Sequence, residues 1–158
     1  MKLLIPVVLI LAVGAIAVAG TQGSSMSPST TAPVPPSQRP AVAVRSTSLG
    51  DVLVDADGRT LYLFEADKPD TSNCSSACLS IWPPVTAGAK PKAGTGALPG
   101  KIGTIPAGGG KRQVTYNHHP LYLYAGDRKP GDTTGQGLKQ FGAEWYVLAP
   151  TGKKIDNG

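Results

Sequence analysis

Setting Leu61 on Leu121 brings two stretches of this chain into register, and that internal duplication limits the possible folds more than any other feature. Leu61-Tyr62-Leu63-Phe64-Glu65-Ala66-Asp67-Lys68 and Leu121-Tyr122-Leu123-Tyr124-Ala125-Gly126-Asp127-Arg128 share one pattern: Leu, Tyr, Leu, an aromatic, any residue, a small residue, Asp, a base. Pro69 and Pro130 follow closely. Upstream, each copy has an apolar run and a turn, Val52 to Gly58 in one and Val114 to Pro120 in the other. Downstream, each reaches a tryptophan, in Trp82-Pro83-Pro84-Val85 and Trp145-Tyr146-Val147-Leu148. Each unit therefore reads as a hairpin, a polar loop and a closing segment begun by tryptophan, with repeat one over about 48–88 and repeat two over about 101–150.

The residue periods say what these units are made of. No long segment has the i, i+3, i+4, i+7 spacing of an amphipathic helix. Short β-branched and aromatic runs bounded by turn residues recur instead: 51–54, 60–64, 113–116, 121–124 and 145–148. Asp57-Gly58 between two of them is a hairpin turn signal. The expected fold is all-β, with two hairpin-containing units packed as one small sandwich or barrel-like domain and a short helical turn near residues 74–82. On a strand, Tyr62 and Phe64 share one face and Leu61 and Leu63 the other, so this strand should be buried on both sides. Asp67 and Asp127 lie just past their strands, where a carboxylate accepts backbone N–H groups, or a tyrosine hydroxyl, and fixes the turn. Tyr62, Phe64, Trp82, Tyr122, Tyr124 and Trp145 are the expected core aromatics.

The motif pair Tyr62-x-Phe64-x-x-Asp67 and Tyr122-x-Tyr124-x-x-Asp127 resembles a family of secreted bacterial repeat proteins, often predicted lipoproteins, marked by Y-x-[FWY]-x-x-D. The resemblance extends to Asp55-Ala56-Asp57-Gly58-Arg59-Thr60, to Cys74 and Cys78 with Trp82-Pro83-Pro84, and to Lys129-Pro130-Gly131-Asp132 with Gly135-Gln136-Gly137. It implies an exported protein and carries no established biochemical role. The only cysteines are Cys74 and Cys78, so the lipid-accepting cysteine of lipoprotein members is missing.

The N-terminus agrees with export. Lys2, an apolar run from Leu3 to Ala19 and the small-x-small exit at Ala17-Val18-Ala19 form a secretory signal over residues 1–19. Membrane contact is expected only if that signal stays uncleaved. Residues 20–41, rich in Pro, Ser and Thr, cannot bury enough apolar surface to offset ordering and read as a disordered linker. The duplicated domain follows over residues 42–155. The formal charge of +5 becomes +4 once Lys2 is removed, and the charges are scattered, so no nucleic-acid partner is expected. The expected location is outside the cell or on the extracytoplasmic face of a bacterial envelope.

Groups present in only one repeat are the better candidates for chemistry. Cys74 and Cys78, in an oxidising compartment and one helical turn apart, should form a disulfide. The alternative is a thiol redox or copper-binding pair, since soft thiolates favour Cu(I). His118 and His119, the only histidines, stand in a turn where repeat one has Gly58 and Arg59, and are the candidate metal ligands. Asp55-Ala56-Asp57-Gly58 lacks the remaining ligands of a calcium loop, and Gly108-Gly109-Gly110-Lys111 lacks P-loop spacing. No catalytic constellation is complete, no nucleophile elbow is present, and no cofactor is expected, copper being the one to test. The reading is a non-enzymatic binding or structural module for an unknown envelope or extracellular ligand. The alternative is a copper or thiol redox protein using Cys74, Cys78, His118 and His119.

Overall fold

The structure, a computed structural model, describes Pro35 and residues 38–156. The signal expected over 1–19, and the linker apart from Pro35 and residues 38–41, lie outside those residues. The chain opens with an antiparallel hairpin of β1 (Ala43–Thr47) and β2 (Gly50–Val54), paired from Ala43 with Val54 to Thr47 with Gly50. The Asp57-Gly58 signal marks a real turn. Asp55 accepts N–H bonds from Asp57 and Arg59 on one carboxylate oxygen, at 2.8 and 3.0 Å, and Val54 bridges Thr60 across it. Then come β3 (Tyr62–Phe64), a short helix α1 (Ala77–Ile81) inside the expected helical turn, β4 (Thr86–Ala87) and a 3-10 turn at Pro99–Lys101. The second half holds β5 (Ile102–Pro106), β6 (Arg112–Tyr116), β7 (His119–Pro120), β8 (Lys139–Gln140) and β9 (Ala143–Val147).

Three small sheets result: β1 with β2; β3, β9 and β8 in that order; and β4, β6 and β5, with β7 also on β6. The domain is all-β, as the residue periods required, and no sheet among the described residues closes into a barrel.

The repeats do not sit side by side as separate units. Each closing segment leaves its own repeat and pairs with the motif strand of the other. Repeat one's β3 pairs with repeat two's β9, Tyr62 facing Val147 and Phe64 facing Trp145. In the mirror arrangement, Tyr122 bridges Pro84 and the Leu123 N–H donates to the Pro83 carbonyl at 2.9 Å. Between the two crossings, Tyr62 and Tyr122 exchange both backbone hydrogen bonds, at 2.9 and 3.0 Å. A pseudo-twofold axis therefore passes between the two motif tyrosines.

Proline explains where this symmetry is incomplete. The strand expected at Leu121-Tyr122-Leu123-Tyr124 is not a regular ladder; Tyr122 alone forms bridges. Its partner segment contains Pro83 and Pro84, which have carbonyls but no N–H to give back. The equivalent partner in the other repeat, β9, has both.

The motif layer has apolar packing on both faces, as the alternation demands. Leu61, Leu63 and Leu121 join one buried cluster with Leu53, Val114, Tyr116 and Leu148. Tyr62, Phe64 and Tyr122 join the other with Trp82, Trp145, Val147 and the two cysteines. Tyr124 is only partly buried and packs at the edge of this second cluster. Four rings form a column through it. Tyr124 stacks on Trp82 with centroids 4.4 Å apart, Trp82 on Trp145 at 3.9 Å, and Trp145 on Phe64 at 4.2 Å. Tyr62 meets Trp82 edge-on at 5.3 Å, and Tyr122 meets Trp145 edge-on at 5.2 Å. Such stacked and edge-on contacts add stabilisation beyond buried area. Gln140 satisfies both indole N–H groups, Trp82 on its side-chain oxygen at 2.8 Å and Trp145 on its backbone oxygen at 3.2 Å.

Trp145 is fully buried between Phe64 and Trp82, both rings of repeat one. Trp145→Ala should therefore lower unfolding free energy by about 3–5 kcal/mol, while Leu79→Ala on the exposed side of α1 should change it by less than about 0.5 kcal/mol. Urea denaturation followed by near-ultraviolet circular dichroism measures both.

Candidate functional site

The motif side chains lie at the centre of the domain, and their polar atoms bond across the pseudo-twofold axis. The Tyr62 hydroxyl donates to Asp127 Oδ2 at 2.8 Å and accepts the Gly135 N–H at 3.2 Å. The Tyr122 hydroxyl donates to Asp67 Oδ2 at 2.8 Å, with Ser72 Oγ at 2.7 Å. Each tyrosine thus uses the aspartate of the other repeat. The second oxygen of each carboxylate ties down its own loop: Asp67 Oδ1 takes the Asn73 N–H at 2.6 Å, and Asp127 Oδ1 takes the Thr134 N–H at 3.0 Å and its hydroxyl at 2.6 Å. Gly135 must be glycine for this approach, because a Cβ there would stand 2.8 Å from Trp82 and 2.9 Å from Tyr62.

Burial sets the electrostatics. It is the main cause that raises both phenol pKa values above 10.0, and the facing carboxylate adds to it. It also raises Asp67 above 3.8, against the lowering effect of the Asn73 N–H and the Tyr122 hydroxyl. Among the described residues, no buried side-chain nitrogen or oxygen lacks a partner.

Cys74 and Cys78 are joined as a disulfide, with Cα atoms 5.4 Å apart, and no free cysteine remains. Both sulfurs pack in the aromatic cluster. His118 and His119 line different clefts. The β6–β7 turn places Asn117 and His118 at φ of 49° and 69°, a left-handed pair that asparagine and histidine tolerate better than most side chains. His118 is exposed, with Nδ1 2.6 Å from Asp70 Oδ2. His119 is half-buried, and burial, with His118 adding, lowers its pKa below 6.5. Among the described residues, no group of three or more His, Cys, Asp or Glu side chains is placed to hold a metal ion.

Two clefts flank the motif layer at positions that the duplication makes equivalent. The first, of about 620 Å³, contains Leu123, Asp57 and Arg59. The second, of about 500 Å³, contains Leu63, Asn117 and His119. Setting Leu63 on Leu123 puts Asn117 on Asp57 and His119 on Arg59. The frame is shared and the chemistry is not. In the first cleft Arg59 pairs with Asp55 at 2.8 Å and Arg39 pairs with Asp57. Lys90 and Lys92 line the same cleft and make no ion pair among the described residues. In the second, Lys154 bridges Glu65 at 2.7 Å. The sequence reading passed over Lys90-Pro91-Lys92, which lies between the repeats; two lysines flanking a proline were the available signal.

A family model described as a secreted repeat of unknown function matches the chain twice, over residues 43–86 and 103–149. The chain belongs to that family. Both copies of the secreted repeat contain one motif strand and one closing segment, so each match covers one half of the interlocked pair. The domain is accordingly extracytoplasmic. No match was found among curated proteins or among solved structures.

The raised phenol pKa values have a definite sign. The folded state keeps protons that the unfolded chain loses near pH 10.0, so this contribution to stability is whole below that pH and falls as pH rises through it. Tyr62→Phe should make the fall shallower by one proton, as read from urea midpoints between about pH 9 and 11.

Proposed function

We propose that the domain is a non-enzymatic binding or structural module that works outside the cell, and that its recognition surfaces are the two clefts beside the motif layer. The supporting observation is the pairing of those clefts on a common frame with different charged groups. The motif tyrosines and aspartates are saturated by one another, which leaves the flanking clefts as the surfaces open to a ligand.

The first cleft favours an anionic ligand. Its two aspartates are each engaged by an arginine, whereas Lys90 and Lys92 remain to meet negative charge. A linear anionic polymer of the envelope suits a cleft lined by two lysines unpaired among the described residues, and such attraction weakens as salt screens it. The copper or thiol redox alternative has no comparable support: the cysteines are bonded to each other, His119 lines the second cleft, and His118 lines a third, of about 540 Å³, with Asp70 and Lys101.

Titration calorimetry with poly-glutamate and with long-chain polyphosphate tests this reading. Binding should weaken with added salt and disappear in the Lys90→Glu, Lys92→Glu double variant, with an unchanged melting temperature. Binding that survives the double variant, or no binding of either polymer at low salt, would remove the anionic reading of this cleft.

A further inference from the structure

The ring column has one end that oxidises readily and one that does not. Tyr124 is partly exposed at one end, followed by Trp82 and Trp145, while Phe64 closes the other. Indoles and phenols lose an electron far more easily than a benzyl ring, so an oxidising equivalent has a path inward from Tyr124 and none outward through Phe64. The rings along that path are in van der Waals contact, and each indole meets a buried phenol edge-on.

The carboxylates that brace the two loops through Asn73 and Thr134 also bring a proton acceptor to each phenol, at 2.8 Å, within direct proton-transfer reach. The indole N–H groups instead face amide oxygens of Gln140, which are poor proton acceptors.

From this arrangement we propose that the column is a one-electron relay, carrying an oxidising equivalent from Tyr124 through Trp82 and Trp145 to the Tyr62–Asp127 and Tyr122–Asp67 pairs. The oxidant is a diffusible radical of the peroxyl class, which takes one electron from the column and one proton from water to become a hydroperoxide, leaving a hydroxide in solvent. The electron leaves Trp82 across the Tyr124 ring, which keeps its proton and is not itself oxidised, and the indole becomes a cation radical that keeps its N–H. Tyr62 then gives one electron to that indole and its hydroxyl proton to Asp127 Oδ2. The products are a neutral indole, a neutral tyrosyl radical and a neutral carboxylic acid. Tyr122 and Asp67 do the same beside Trp145.

Flash oxidation of the exported chain by a photogenerated ruthenium(III) tris-bipyridine complex tests the relay by transient absorption. An indole radical signal should appear and give way to a tyrosyl signal, in a step slowed in D2O. The Tyr62→Phe, Tyr122→Phe double variant should lose the tyrosyl signal and retain the indole radical. Tyr124→Phe, which preserves the stack, should slow the first step. Three results would each overturn the proposal: an undiminished tyrosyl yield in the double variant, which would place the hole on Tyr116, Tyr124 or Tyr146; equal rates in H2O and D2O; or an unchanged rate in Tyr124→Phe. If circular dichroism shows the double variant unfolded, the isotope effect and Tyr124→Phe decide alone.

Discussion

Two partly buried phenol–carboxylate bonds, each made between repeats, hold this domain in its interlocked form. Removing a carboxylate from water is costly unless donors replace the lost hydration. Here Asp127 receives the Tyr62 hydroxyl on one oxygen and Thr134 on the other, and Asp67 receives Tyr122 and Asn73. Any register that separated one tyrosine from the opposite aspartate would strand a carboxylate and a hydroxyl together. The pairs therefore select one arrangement of two similar repeats over the alternatives, including two repeats folded apart. The aromatic column supplies the apolar burial around them, and the backbone exchange between Tyr62 and Tyr122 fixes its centre.

The duplication keeps the frame and varies what hangs on it. Phe64 and Tyr124 occupy equivalent places at the two ends of the column, one buried and one at the surface. Arg59 and His119 are equivalent residues in equivalent clefts. The polar loops differ as well: α1 and the disulfide brace the route from Asp67 to Trp82, whereas Gly135, Gln136 and Gln140 brace the route from Asp127 to Trp145. Gln136 accepts the Val147 N–H at 2.9 Å and donates to the Ile155 carbonyl at 2.6 Å, tying that loop to β9 and to the segment at Ile155. These are single-copy features on a doubled scaffold, and they are where function can differ between the halves.

Much of this was legible because the relevant physics is local. Leu alternating with an aromatic at 61–64 marked a strand buried on both faces, the Asp57-Gly58 pair marked its turn, and the close cysteines marked a bridge, although only Cys78 lies in the helix and Cys74 precedes it. The exchange of closing segments between repeats was not legible, since Trp82 and Trp145 carry the same sequence signal whichever motif strand they pack on. The strand expected at 121–124 weakened for a reason visible only once its partner was known, namely the prolines at 83 and 84. The histidines illustrate the same limit. Adjacent in sequence, they were separated by a left-handed turn that sends one toward Asp70 and the other into a cleft.

The central claim is that the motif works between repeats and not within them. Double-mutant cycles on unfolding free energy test it directly, pairing Tyr62→Phe with Asp127→Ala, Tyr122→Phe with Asp67→Ala, and, as the within-repeat comparison, Tyr62→Phe with Asp67→Ala. The account predicts coupling of about 0.5–3 kcal/mol in the first two cycles and near-additivity in the third. Coupling confined to the Tyr62 and Asp67 cycle would contradict it and would place each tyrosine with the aspartate of its own repeat.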